Sequence, residues 1–167
     1  MGFWTGNIQP WIKLFRQTED SLILPRGYFP AVISAVRSKG VRFEIIDKTV
    51  CPEAELPSPK GELYSFQAEA LGDLLRYPTG VLEAPTGSGK TNILLSAIPR
   101  LKTNALILVH TTELLHQTVE RTKSWLGLEP GVIGAGKENI QPVTVAMIQT
   151  LARRDLKDTG IPDYFGA

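Results

Sequence analysis

Residues 80–91 read Gly80-Val81-Leu82-Glu83-Ala84-Pro85-Thr86-Gly87-Ser88-Gly89-Lys90-Thr91. The last eight fit (A/G)-x4-G-K-(S/T), a loop whose small residues let successive backbone N–H groups turn inward around a phosphate. Gly80 to Ala84 is apolar enough for a short buried strand, and Lys90 to Ile98 carries an apolar face at helical spacing. A strand, a glycine-rich turn and a helix in that order aim the positive end of the helix dipole at an anion. From average residue usage the bare pattern arises by accident in roughly one chain in a hundred of this length, so a plain Gly-rich turn is the weaker reading. The expected cradle is Pro85, Thr86, Gly87, Ser88, Gly89, Lys90 and Thr91, with Lys90 reaching the β- and γ-phosphates of a nucleotide and the Thr91 hydroxyl ligating Mg²⁺.

Downstream, Ala105-Leu106-Ile107-Leu108-Val109 is a continuous apolar run of the kind buried on both faces of a parallel sheet. Thr112 is expected to cap a helix extending to about Leu126, where Gly127 ends it. Short strands are expected at Val132-Ile133 and Val143-Thr144-Val145-Ala146, then a brief helix from Ile148 to Arg153. Upstream, Ser65 is expected to cap a helix running to about Arg76, and Pro99 to end the helix that starts at Lys90. Helix alternating with strand makes this an α/β three-layer domain with a mostly parallel sheet.

The front of the chain differs. Trp11 to Phe15 and Ser21 to Leu24 alternate like the arms of a hairpin, Tyr28 to Arg37 carries Phe29, Val32, Ile33 and Val36 at helical spacing, and Val41 to Asp47 reads as a further strand. Residues 1–50 therefore form a small α+β module. Residues 51–61, with Pro52, Pro57 and Pro59 and no apolar period, read as a linker, and 62–167 as the nucleotide-binding domain.

Bulk properties exclude several classes. The 167 residues are 43% hydrophobic, enough to bury roughly 70% of the unfolded surface. A formal net charge of +1 gives no global basic signature, so nucleic-acid contacts must be local. One cysteine, Cys51, excludes an internal disulfide framework, and with His110 and His116 it completes no zinc set. No stretch approaches roughly 18 consecutive apolar residues, and the Met1 end lacks a signal peptide's basic start and apolar core. The expectation is a soluble intracellular protein, cytoplasmic or nucleoid-associated, without a membrane partner. The cluster Arg153, Arg154 and Lys157, interrupted by Asp155 and Asp158, reads as a solvated face.

Phosphate-binding loops serve kinases, GTPases and motors alike, and the flanking segments choose among them. The run Leu63-Tyr64-Ser65-Phe66-Gln67-Ala68-Glu69-Ala70-Leu71 resembles the adenine-recognition segment of superfamily 2 helicases, L-R-x-Y-Q-x-x-A-L/I. Leu108-Val109-His110-Thr111-Thr112-Glu113-Leu114-Leu115-His116-Gln117 resembles the next motif, V-P-T-x-x-L-x-x-Q. Val143 to Leu151 is similar to the T-V-A-T-x-Q-S/T-L segment, and Gly134-Ala135-Gly136-Lys137 stands where the excision-repair and phage-recombination branch places it. More loosely, Leu14-Phe15-Arg16, Leu24-Pro25-Arg26-Gly27 and Ile45-Ile46-Asp47 are similar to the small amino-terminal domain with which phage helicases recognise duplex or branched DNA.

The resemblance implies a RecA-like fold, incomplete here, and the amino-terminal part of an ATP-dependent DNA helicase or translocase that uses ATP and Mg²⁺. It implies Lys90 and Thr91 in catalysis, Gln67 as reader of the adenine edge, and Thr111, Gln117, Gln149 and Thr150 as contacts to DNA, duplex, branched or single-stranded. Two departures stand out. Tyr64 and Phe66 replace the family's Arg and Tyr, and the sequence contains no D-E-x-H box and no second RecA-like domain with its arginine finger. Hydrolysis by the 167 residues alone is therefore not expected. The alternatives are a restriction-enzyme translocation subunit, a small-molecule kinase, which would need no adenine glutamine, and a non-hydrolysing nucleotide-binding module.

Overall fold

Four apolar residues in a row, Val143, Thr144, Val145 and Ala146 with the threonine counted by its methyl, make a strand that water cannot solvate on either face, and the structure buries all four completely. The computed structural model describes residues 13–48, 52–77, 79–154 and 161–165. It divides into two compact units, residues 1–47 and 48–167. Trp11, Ile12, Thr49 to Cys51, Asp155, Lys157, Asp158, Gly166 and Ala167, on which parts of the expected strand, linker, basic cluster and chain end fall, lie outside the described residues.

In the first unit, strands β1 (Arg16–Gln17) and β2 (Leu22–Ile23) pair antiparallel, Arg16 opposite Ile23. Their turn is closed by Thr18, whose N–H donates to the Ser21 carbonyl at 2.9 Å and whose hydroxyl accepts the Ser21 N–H at 3.1 Å. A 3₁₀ turn (Arg26–Tyr28) leads into helix α1 (Phe29–Ser38), which ends at Gly40 with φ 65°. The expected hairpin is present but begins at Arg16, beyond Leu14 and Phe15. The strand expected over Val41 to Asp47 forms no ladder. With arms of two residues, the hairpin is too short to recruit a third strand, and none of this unit's described residues is buried.

The second unit is built on strands β3 (Ala105–Val109), β4 (Gly131–Gly134), β5 (Lys137–Asn139) and β6 (Val143–Met147), in the spatial order β3-β6-β4-β5. β3 and β4 flank β6 in parallel, with Val109 opposite Met147 and Ile133 opposite Ala146, and β5 closes antiparallel on β4. Alternation along the strands divides the core. Val109, Val132 and Val145 meet Leu115 and Val119 of helix α4 (Thr112–Leu126), while Val143 meets Leu95 and Ile98 of helix α3 (Lys90–Leu101). The next residues along, Ile133 and Ala146, pack on the other face against Leu151 of α5 (Ile148–Leu151) and Ile161 of α6 (Ile161–Phe165). Helix, sheet and helix make three layers. Helix α2 (Ser65–Arg76) joins through Leu71, which packs with Ile93 and Ala97 of α3.

Four expectations need correction. α3 does not stop at Pro99 but runs on to Leu101, because a proline in the last turn forfeits a single N–H bond while its fixed φ remains helical. The cap of α4 is Thr111, one residue before Thr112; its hydroxyl accepts the Leu114 N–H at 3.2 Å, and Gly127, φ 70°, ends the helix as expected. Gly80 to Ala84 has no ladder partner: Leu82 seats against the α2–α3 cluster, but Val81 is 96% exposed. The Pro-rich segment is not a free linker either. Glu53 bridges Thr103, the Ala54 N–H donates to the Lys102 carbonyl at 2.9 Å, Leu56 enters the core beside Leu95, and the Lys60 N–H donates to the Trp125 carbonyl at 2.8 Å. Residues 52–61 thus strap the far ends of α3 and α4. Proline runs lack helical or alternating periods, but they can still lay one apolar side chain into a core.

Replacing Leu95, fully buried, by Ala should lower stability by about 2–5 kcal/mol, whereas Val81→Ala should stay within roughly 0.5 kcal/mol. Denaturant titration of both variants checks this, and a large loss at Val81 would mean that Gly80 to Ala84 is part of a covered sheet.

Candidate functional site

The loop before α3 owes its shape to two glycines in the left-handed region, Gly87 at φ 81° and Gly89 at φ 79°. The Ser88 N–H donates to the Pro85 carbonyl at 3.2 Å, and α3 starts at Lys90 with Gly89 as its cap. Gly89 is required twice. Its φ strains any L side chain, and a Cβ there would lie 2.5 Å from Nε2 of Gln67.

Gln67 is 4% exposed and ties the start of α2 to this loop. Its Oε1 accepts the Tyr64 N–H at 3.0 Å and its Nε2 donates to the Ser88 carbonyl at 2.7 Å. The cap of α2 is therefore Tyr64, not Ser65, and the Gln67 amide at the third helical position reaches back to accept the Tyr64 N–H, the bond that the glutamine of a capping box makes. Gln67 keeps one N–H and one lone pair uncommitted. Beside it the exposed rings of Tyr64 and Phe66 lie parallel, 5° apart in plane with centroids 6.0 Å apart.

The Lys90 ammonium donates to the carbonyls of Ala84 at 2.6 Å and Pro85 at 2.9 Å, so its charge sits within the curl of the loop. Ser88 Oγ is buried with no hydrogen-bond partner. A buried orphan hydroxyl, a lysine held among carbonyls and left-handed glycines fit a phosphate chain, which would satisfy the first and displace the second. Thr91 is half-buried on the first turn of α3. It also lines a cleft of about 590 Å³ with Leu114, Gln117, Arg121 and Ser124 of α4.

The residues expected at nucleic acid divide into two places. Thr111 follows β3, and Gln149 and Thr150 follow β6, so the parallel sheet brings them to one edge; Gln149 Nε2 donates to the His110 carbonyl at 2.7 Å and locks the two loops together. Thr112, expected only as a helix cap, reinforces the contact through its hydroxyl on Met147 Sδ at 3.9 Å. Gln117 is not with them. It lies about 9 Å further along α4, bonded to Glu113 Oε1 at 3.1 Å and facing the Thr91 cleft. Arg154 is not an isolated charge: it grips Glu138 of β5 at the surface, its second guanidinium nitrogen 2.9 Å from Oε2. That hydrogen bonding holds the Glu138 carboxyl below its ordinary range. No sequence signal marks this pair, because sixteen residues and a sheet crossing separate the partners.

Comparison with known proteins meets this geometry. The family model described as "Type III restriction enzyme, res subunit" matches residues 60–166. The DNA 3'-5' translocase XPB2 of Sulfurisphaera tokodaii is 34% identical over 119 residues, 66% of this chain and 27% of that protein. A probable helicase of Escherichia phage T5 is 29% identical over 119 residues, 68% of this chain and 25% of its own. The crystal structure of T4 UvsW superposes with a TM-score of 0.63 at 21% identity, covering 93% of this chain and 37% of that one, and shares the fold. The chain thus spans about a quarter of the length of the curated relatives it matches.

Gly89→Ala should destabilise the chain by about 1–3 kcal/mol through left-handed strain and the collision with Gln67. Because Gln67→Ala removes the collision but not the strain, the double variant should be more stable than the sum of the single effects by roughly 0.5–3 kcal/mol. Strict additivity in thermal unfolding would show that the two residues do not meet.

Proposed function

The chain belongs to the family described as "Type III restriction enzyme, res subunit", among the superfamily 2 helicases of the repair and phage-recombination branch, and from that premise we propose that it is the ATP-binding, amino-terminal part of a DNA helicase or translocase. The observation that carries the reading is the Gln67 bond to the Ser88 carbonyl, which joins the adenine-recognition segment to the phosphate loop. A small-molecule kinase has no use for that junction. In this reading Pro85 to Thr91 cradle the phosphates of ATP, Lys90 neutralises the β- and γ-oxygens and Thr91 ligates Mg²⁺. Gln67 offers its free N–H and lone pair to N7 and N6 of adenine, an acceptor beside a donor, where guanine presents two acceptors.

DNA crosses the sheet edge formed by Thr111, Gln149 and Thr150, and a second RecA-like domain completes the motor with its arginine finger. The small front module assists in duplex or branched DNA, with Arg16, Arg26, Arg37, Lys39 and Arg42 as its cations. No described helix is long and apolar enough to cross a membrane. The family description itself favours a second reading, the translocating subunit of a restriction enzyme. Both readings use the same ATP chemistry and differ in the partner that receives the motion.

Lys90→Ala should weaken ATP·Mg²⁺ binding by about 1.5–3 kcal/mol, read by calorimetry, because a charge-assisted contact to phosphate is lost; equal affinity would remove the loop from the function. Gln67→Ala should collapse the preference for ATP over GTP in a competition assay, and an unchanged ratio would favour a non-selective phosphate module. The 167 residues contain no D-E-x-H to orient the attacking water, and loss of an arginine finger alone costs roughly 10³–10⁵ in rate. They should bind ATP without DNA-stimulated turnover, and DNA-stimulated turnover that Lys90→Ala abolishes would overturn the claim that these residues hold only the binding half of a motor.

A further inference from the structure

We propose that the front unit pairs with a second copy of this chain through residues 41–45, strand against antiparallel strand, about a twofold axis at Phe43. The inference is independent of the nucleotide chemistry of the second unit. From Val41 to Lys48 the backbone contains no helix, turn or bend, and residues 42–46 make no backbone hydrogen bond to any described residue. Val41 differs, its N–H donating to the Val36 carbonyl at 3.4 Å. Along this extended run Val41, Phe43 and Ile45 fall on one face and Arg42 and Glu44 on the other. The three apolar side chains are between 41% and 55% exposed. A strand with a solvated apolar face and unpaired backbone groups is a template for another strand.

Charge selects a second copy as that strand and selects one register. Residues opposed across an antiparallel pair share a face, so a twofold axis lying between residues would set apolar against charged side chains and is excluded. An axis at Arg42 opposes two arginines, one at Glu44 opposes two glutamates, and one at Ile45 sets Arg42 against Lys48. Only the axis at Phe43 is complementary: Arg42 faces Glu44 of the copy, and the reverse, on the polar side, while Val41 faces Ile45 and Phe43 faces itself on the apolar side. Neither Arg42 nor Glu44 has an ion-pair partner among the described residues of its own chain.

The backbone agrees with that register. With Phe43 at a pair that exchanges no hydrogen bonds, Arg42 and Glu44 occupy the pairs that do, and their N–H and C=O groups are uncommitted. The opposite phase would call on the Val41 N–H, which is already turned to its own helix. The favoured phase also brings the Phe43 side chains to the closest approach, about 4.5 Å between Cα atoms. Five residues a side bury less than the roughly 1,200 Å² of a standard interface, so the dimer is weak and its two charge pairs decide whether it forms.

The test is sedimentation equilibrium of the 167-residue chain over a concentration series, with a monomer–dimer equilibrium expected. Arg42→Glu and Glu44→Arg each oppose like charges at both pairs and should weaken association on the order of tenfold or more. An equimolar mixture of the two variants should recover the affinity of the unaltered chain, because each copy then meets the opposite charge at both positions. Glu19→Arg makes the same change of charge at an exposed site in the β1–β2 turn and should have no effect. A chain that stays monomeric throughout the series overturns the proposal. So do single variants that associate like the unaltered chain, a mixture that associates no better than its components, and an equal loss from Glu19→Arg.

Discussion

Every functional element of the second unit hangs from a strand that has no solvent-facing side. β6 receives backbone hydrogen bonds from β3 on one edge and β4 on the other, and its side chains are covered by α3 and α4 above and α5 and α6 below. Such a strand cannot slip by one residue without exchanging Val145 for Ala146 across the faces, so its register is fixed by packing on both sides at once. Fixing that register fixes where β3 and β4 stop. The loops that follow all three strands are then brought level, and residues far apart in the chain, Thr111, Ala135 and Gln149, become neighbours with no dedicated contact needed to gather them.

The phosphate loop depends on the same frame less directly. α3 presents Leu95 and Ile98 to the sheet and Ile93 and Ala97 to α2. Its first turn, with Lys90 and Thr91, is thereby held between the core and the Gln67 junction. The glycines supply the local conformation; the two-sided burial of α3 supplies the position. Both are needed, since a correctly curled loop on a loose helix would lose in ordering entropy what it gained in contacts with phosphate.

Where local chemistry decides structure, the sequence was legible. The glycine-rich loop, the Gly127 helix end, the apolar run of β3 and the order of α and β elements each depend on residues within a few positions of one another. Reading failed where the outcome depended on partners. Gly80 to Ala84 has the composition of a strand, yet a strand exists only against a neighbour. Val41 to Asp47 alternates well but finds no ladder. Ser65 is a good cap by type, but the Tyr64 N–H went to Gln67, a residue already assigned to another task. Arg154 looked solvated because Glu138 approaches it only after the sheet has formed. Gln117 shares a motif with Thr111, and helical geometry carries it out of reach.

Residues 52–61 bear on how this chain can be divided. The family match begins at residue 60, and a border drawn by similarity would fall there. Physically it would cut through a core, because Leu56 packs into the cluster of Leu95, Ile98 and Leu126, and Glu53 and Ala54 are bonded to Thr103 and Lys102. A fragment starting at the similarity border would keep Gly61 beside Trp125 but lose Leu56, and so leave an apolar gap in the cluster of Leu95, Ile98 and Leu126. A division of this chain therefore has its natural seam at the border of the two units, after Asp47, and a cut made nearer the phosphate loop would expose apolar surface even though every recognisable motif survived.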